Sequence, residues 1–263
     1  MLSCNTLKLD NKICEKINCI IYKSIYMTKT IVIKMSKKMN DSELINETKI
    51  RKYLQDINGI PPIIDYGLYK KKQYIIYPYN DKSIKGHLIN KNNINDFAFQ
   101  MIKIITDIHK KGIVHCDISP SNVLHNLKTN EYMLNDFGNA KHINFAFKEI
   151  NNSCNIINPF YCSKYLHNGY EYSPRDDLIS IGYLLIYCLE GSLPWSKIKI
   201  CNDIYKKKLA YDNQLPSCNL PSNIKTYLNY CTHLGINEKP NYCMLSQLFM
   251  SSMDSSLSVE SML

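Results

Sequence analysis

Residues 112–126 read GIVHCDISPSNVLHN, a segment that opens apolar, turns polar and sets His115, Asp117 and Asn122 close together. A second polar segment, LNDFGNAK at 134–141, follows and places Asp136 ahead of a Phe and a Gly. Taken singly, an Asp in a loop is most often a turn residue that bonds its own backbone. Order and spacing change that reading. Upstream, Lys34 ends the strand-like run TIVIK, and Glu47 lies in the helix-like segment that comes next. Carboxylate and amide oxygens are hard ligands that suit Mg2+, and an ammonium held by a carboxylate suits phosphate oxygens. A Lys, a Glu, then HxDxxxxN, then DFG is an inventory for phosphoryl transfer from a magnesium nucleotide.

Bulk properties set the frame. The chain has 263 residues, enough for one large domain or two lobes with a cleft, and 45% of them are hydrophobic, enough for a sizeable core. Lys and Arg outnumber Asp and Glu by 32 − 23 = 9, which suits an anionic partner without choosing among nucleotide, acidic protein, nucleic acid or membrane surface. The short basic runs KMSKK, YKKKQ and YKKKLA read as solvated surface. The eleven Cys include no CxxC pair and read as reduced, mostly buried thiols of a cytoplasmic protein, with a nuclear one as the other option. The first residues lack the apolar stretch of a signal peptide, and LISIGYLLIYCLEG is too short to span a bilayer. The expected partner is a protein substrate, with no sign of nucleic-acid or membrane binding, and the chain is expected to be a monomer.

Periodicity divides the chain. LKLDNKI, CIIYKSIYM, TIVIKM and QYIIYPY read as strands, and DSELINETKIRKYLQDI as a helix capped by Asp41 or Ser42. After them, NINDFAFQMIKIITDIHKKG, PRDDLISIGYLLIYCLEG, LPSNIKTYLNYCTHLG and NYCMLSQLFM read as helices, and NVLHN and EYMLND as short strands. The expectation is an α+β fold of two lobes: strand-rich over 1–79, helical over 80–250, with a Ser-rich tail over 251–263.

These segments resemble the eukaryotic protein kinase family over nearly the whole chain. IVIK is similar to its strand-three lysine motif, HCDISPSN to its catalytic loop and DFG to its metal loop. PFYCSKYLHNGYEYSPRDDLISIGYLLIYCLEGSLPW, ETKIRKYLQDINGIPPIIDYG and LPSNIKTYLNYCTHLGINEKPNY narrow the resemblance to the casein kinase 1 and vaccinia-related kinase group. The resemblance implies a serine/threonine kinase that uses ATP and Mg2+ on a protein hydroxyl. Asp117 is then the base, Asn122 and Asp136 hold the metal, and Lys34 pairs with phosphates and with Glu47. Asp177 braces the catalytic loop. Adenine lies between Ile13, Ile21 and Val32 on one side and Leu124 on the other, with Tyr77 as gatekeeper, the Pro78 carbonyl toward N6 and the Asn80 amide toward N1.

Three departures stand out. Cys14, Lys16 and Cys19 occupy positions where the family has glycines, so side chains hinder amide approach to phosphate; weaker nucleotide binding or a different loop path is expected, with Lys16 as a compensating charge. Cys116 replaces an Arg that reads an activation-loop phosphate, which implies activity without that phosphate. Ser119 stands where a Lys contacts the transferring phosphate, which removes a cation from the catalytic set and slows transfer. A pseudokinase scaffold is the alternative the missing glycines favour, and a small-molecule phosphotransferase is the other. The basic excess allows an acidic or pre-phosphorylated peptide substrate. Ser252, Ser255, Ser258 and Ser261 recur every third residue; stepwise tail phosphorylation is one reading, and a plain Ser-rich end is the ordinary one.

Overall fold

The computed structural model describes residues 7–26, 28–79, 83–143 and 156–250. Two units divide them: Met1–Lys82 with Leu124–Ala140, and Ser83–Val123 with Lys141–Leu263. The tail over 251–263, with Ser252, Ser255, Ser258 and Ser261, lies outside the described residues, as does Asn80.

The first unit is built on a five-stranded antiparallel sheet of β1 (Asn11–Glu15), β2 (Cys19–Tyr26), β3 (Lys29–Ser36), β5 (Lys72–Pro78) and β4 (Asp65–Tyr69), in that order across the sheet. Period-two alternation assigns its faces. Ile31, Ile33, Met35, Tyr74 and Ile76 share a buried cluster, covered by Leu7, Leu9, Tyr22, Tyr26 and Tyr69. The intervening residues point the other way, and there Val32 packs with Ile75, Tyr77, Ile63 and Leu44. Lys34 belongs to that second set by register, opposite Ile75.

Helix α1 (Ser42–Tyr53) supplies Leu44. The Asp41 side chain caps it, accepting from the amides of Glu43 and Leu44 at 3.0 and 3.3 Å. Its buried positions are Leu44, Glu47, Ile50 and Arg51. Two of these are charged and one turn apart, so the inward stripe of α1 carries ions as well as hydrocarbon.

The hairpin of β7 (Val123–Asn126) and β8 (Glu131–Leu134) and the loop after it fall almost entirely in the first unit, although they follow much of the second in sequence. The cause is bonding to α1 and the turn beyond it. Arg51 Nη1 donates to Asn135 Oδ1 at 2.6 Å, Asn46 Nδ2 donates to the Gly138 and Ala140 carbonyls at 3.2 and 2.9 Å, and the Leu134 amide bonds the Gly59 carbonyl at 2.8 Å. Where the sequence suggested one break after residue 79, the fold returns these later residues to the first unit.

The second unit is helical: α2 (Ile94–Lys110), α3 (Lys164–His167), α4 (Pro174–Glu190), α5 (Cys201–Gln214), α6 (Ser222–His233) and α7 (Tyr242–Met250), with β6 (Ile113–Val114) paired to β9 (Lys141–His142). Ser173 and Asp176 form a capping box at the start of α4, and Gly191 ends it at φ +77°. Gly112 turns the chain out of α2 at φ +74°. Helix α4 is buried over most of its length, and each fully buried Leu or Ile there contributes about 1.5–3 kcal/mol.

Helices α4 and α6 approach closely at Gly182. A Cβ there would lie 3.1 Å from Leu228 Cγ and closer still to its Cδ2. Overpacking of this kind costs about 1–3 kcal/mol, against a gain of about 1 kcal/mol in helix propensity. G182A is therefore expected to lower the urea midpoint; an unchanged or raised midpoint rejects this packing account.

Several expectations are corrected. LKLDNKI does not form a strand from its start; β1 begins at Asn11 and all five of its residues are exposed. Strand β4 went unread because DYGLY alternates half-buried with exposed positions and carries Gly67. The basic run YKKKLA is part of α5, and it is not all solvated: Lys208 is fully buried and its Nζ donates to the Pro159 carbonyl at 2.7 Å and to the Cys162 carbonyl. Burial lowers that ammonium to about 8. Of the nine described cysteines, Cys19, Cys116, Cys162, Cys188 and Cys231 are buried, while Cys14, Cys201 and Cys243 are exposed.

Candidate active site

Each unit holds one cluster of the predicted residues. In the first, strand β3 presents Lys34 on the α1 side of the sheet, and α1 presents Glu47 toward it. Lys34 Nζ lies 2.6 Å from Glu47 Oε2 and 2.6 Å from Asp136 Oδ1. Glu47, which alone would read as a solvated helix residue, is 1% exposed. Its other oxygen accepts from the Tyr77 hydroxyl at 2.9 Å and lies 3.7 Å from Arg51 Nη1. Arg51 in turn stacks over the Tyr77 ring at 4.2 Å. The hydroxyl of the expected gatekeeper is thus committed to Glu47.

Asp136 sits at φ +65°, a left-handed conformation that Asp tolerates better than most residues. Its second oxygen is taken as well: Lys16 Nζ lies 2.6 Å from Asp136 Oδ2. Burial by itself would raise the Asp136 carboxyl, but Lys34 and Lys16 overcome it and hold the group well below the usual carboxylate range. Burial would lower Lys34, and Glu47 and Asp136 reverse that, raising its ammonium well above the ordinary value. Lys16, Lys34 and Arg51 against Glu47 and Asp136 leave this cluster one positive charge in excess.

The glycine-poor loop takes a compact path. The Lys16 amide bonds the Cys19 carbonyl at 2.9 Å, the Lys37 amide bonds the Asn18 carbonyl at 2.9 Å, and Asn18 Nδ2 donates to Glu43 Oε1 at 3.0 Å. No residue from Cys14 to Cys19 has positive φ, so this turn needs no glycine. Among the other residues expected around adenine, Ile21 pairs across from Lys34 and Val32 across from Tyr77. Pro78 ends β5 opposite Ile31, and Leu124 lies half-buried in β7. Ile13 lies at a register irregularity between Lys12 and Cys14 and is 51% exposed.

In the second unit the loop after β6 is held by Asp177 of α4. This buried carboxylate accepts from the His115 amide at 2.7 Å, from the Cys116 amide at 3.0 Å and from the His109 ring at 2.9 Å. Cys116 has φ +69°, a costly conformation for its residue type, and the bonds from Asp177 hold it there. The buried His115 accepts the Asp117 amide on Nδ1 at 3.2 Å. Asn122 Nδ2 donates to the Asp117 carbonyl at 2.8 Å and to its Oδ2 at 3.0 Å. Ser119 is buried and bonds the Ser121 hydroxyl at 3.1 Å. Asp117, Ser119 and Asn122 therefore form one tightly bonded loop. His109 was not legible as part of it, and neither was Tyr242, whose hydroxyl meets His109 Nδ1 at 2.7 Å.

The donor chemistry fits a hard cation only in part. Asn122 spends its amide nitrogen on Asp117, which leaves its oxygen suited to a metal. Asp136 has both oxygens in contact with ammonium groups, and in that state it does not fit one. Among the described residues there is no cluster of three His, Cys, Asp or Glu side chains able to bind a metal ion.

Residues 16–253 match the protein kinase domain. The chain belongs to the protein kinase family. Within that family, the solved structure of vaccinia related kinase 3 superposes with a TM-score of 0.81 at 21% identity, covering 95% of this chain and 87% of that one. That likeness bears on the fold, which is the α+β protein-kinase fold with its sheet-rich and helical units. Lys34, Glu47, Asp117, Asn122 and Asp136 all fall within the matched residues. No helix among the described residues is long and apolar enough to cross a membrane.

Proposed function

We propose that this kinase transfers the ATP γ-phosphoryl group to serine or threonine hydroxyls of protein substrates, as a relative of the casein kinase 1 and vaccinia-related group. The observation that carries the reading is Lys34 joined at once to Glu47 and Asp136, each at 2.6 Å. An ammonium fixed by two carboxylates is a preorganised phosphate ligand, and its stem leaves β3 at the register of Ile21 on β2 and Ile75 on β5. Asp117 takes the proton of the attacking hydroxyl. The hydroxyl oxygen bonds to the γ-phosphorus as the bond to the bridging oxygen breaks, and ADP leaves with that electron pair. The Asn122 side-chain oxygen would hold Mg2+, which when bound offsets phosphate charge; Asp136, the other metal residue the resemblance implies, has both oxygens taken by Lys16 and Lys34. The net charge of +9 is compatible with an acidic or pre-phosphorylated substrate. A monomeric, cytoplasmic or nuclear kinase is consistent with this reading.

A second reading, a scaffold without transfer, is favoured by one observation: Lys16 and Lys34 already occupy both Asp136 oxygens. The deciding experiment is phosphate transfer to casein by the wild type and by D117N, beside a thermal shift with Mg-ATP. Transfer by the wild type, reduced by about 1,000-fold or more in D117N, is expected. A nucleotide-induced shift without transfer makes the protein a scaffold. Transfer to a small alcohol but not to casein makes it a small-molecule phosphotransferase.

A further inference from the structure

We infer that the Lys16 ammonium takes the cation position on the Asp136 carboxylate, so that this chain binds a nucleoside triphosphate without a divalent cation. The inference rests on the nucleotide-site reading above and concerns binding alone. Lys16 Nζ lies 2.6 Å from Asp136 Oδ2 while Lys34 Nζ lies 2.6 Å from Oδ1, so the carboxylate is bracketed by two positive charges. A hard divalent ion needs a carboxylate oxygen at about 2.0–2.1 Å, and at Oδ2 it would meet the Lys16 ammonium directly.

Lys16 is placed there by the fold of its turn and does not merely drift over it. Its own amide is tied to Cys19, the next-but-one residue Asn18 is tied by backbone to Lys37, and the Asn18 side chain is tied to Glu43 of α1. The same turn spends the Lys16 amide, which a glycine-rich loop would offer to phosphate, so the loop's capacity for anions moves from backbone to side chain. An ammonium has three donors. Asp136 takes one, and the side chain is 43% exposed, which leaves it open to an incoming anion. The excess positive charge of the cluster favours that anion. Lysine is a point charge on a flexible stem and can contact phosphate oxygens while keeping its carboxylate.

The test is ATP binding to the full chain by calorimetry, in excess EDTA and in excess Mg2+, for the wild type, K16M and K16R. The wild type is expected to bind with Kd values within about threefold of each other, and K16M to weaken by about tenfold or more in EDTA and to recover most of that loss in Mg2+. K16R should retain metal-free binding. Mg2+ alone should raise the melting temperature of K16M and leave that of the wild type unmoved, because only the variant exposes Asp136 Oδ2. Wild-type binding that needs Mg2+, an unchanged K16M in EDTA, or no wild-type binding in either condition overturns the inference. The two proposals separate cleanly: metal-free binding without transfer to casein fails the kinase reading alone, and transfer with strictly Mg2+-dependent binding fails this one alone.

Discussion

K34M is expected to unfold about 3–5 kcal/mol more easily than the wild type, because it strands a buried carboxylate without its cation. Glu47 is 1% exposed and loses its closest positive partner; Arg51, at 3.7 Å, is too distant and too committed to Asn135 to replace it. Transfer should vanish together with stability, so urea unfolding without nucleotide is the cleaner readout. The effect also has a pH signature. The Asp136 carboxyl titrates lower in the fold than its ordinary value of 3.8. Its contribution is therefore present above that value and is lost as the pH falls through the lower folded one. Without Lys34 that depression is reduced, so the stability curves of wild type and K34M should converge as the pH drops below 3.8. A variant within about 1 kcal/mol of the wild type at neutral pH, the range of an exposed pair, shows that the ion triad contributes little to the fold.

The second large effect belongs to Asp177. D177A removes the acceptor of the His115 and Cys116 amides and of the His109 ring, all from one buried carboxylate. Each buried donor left unsatisfied costs about 1–3 kcal/mol, and Cys116 loses what holds it at φ +69°. The loop carrying Asp117 and Asn122 then relaxes. A displacement of about 1 Å at such a group costs on the order of 100-fold in rate. The expected result is faster amide exchange over 112–122 and a fall in turnover with little change in the KM for ATP. D177N keeps one acceptor oxygen and should recover part of both. Unaltered exchange in D177A removes the bracing role.

What the sequence made legible follows from where information is stored. Helices α2 and α4 are apolar along long faces, and their period shows without a partner. Lys34, Glu47, Asp117, Asn122 and Asp136 show through their order and spacing, which together make up an inventory for phosphoryl transfer. Arg51 and Lys208 did not show, because a charged residue in a polar helix looks solvated until the carbonyls and rings that receive it are known. Lys16 showed as a charge at a loop tip, but its target lies 120 residues away, beyond any local pattern. Strand β4 hid for a simpler reason: an edge strand that buries little has little need of an apolar alternation.

The Tyr242 hydroxyl, the His109 ring and the Asp177 carboxylate join α7 to the amides of His115 and Cys116 through consecutive polar contacts of 2.7 to 3.0 Å. The last described helix is consequently wired to the residue immediately preceding Asp117. Anything that tilts α7, whether a crowded neighbour or a modified Tyr242, transmits its strain inward along that chain to the loop that carries Asp117 and Asn122.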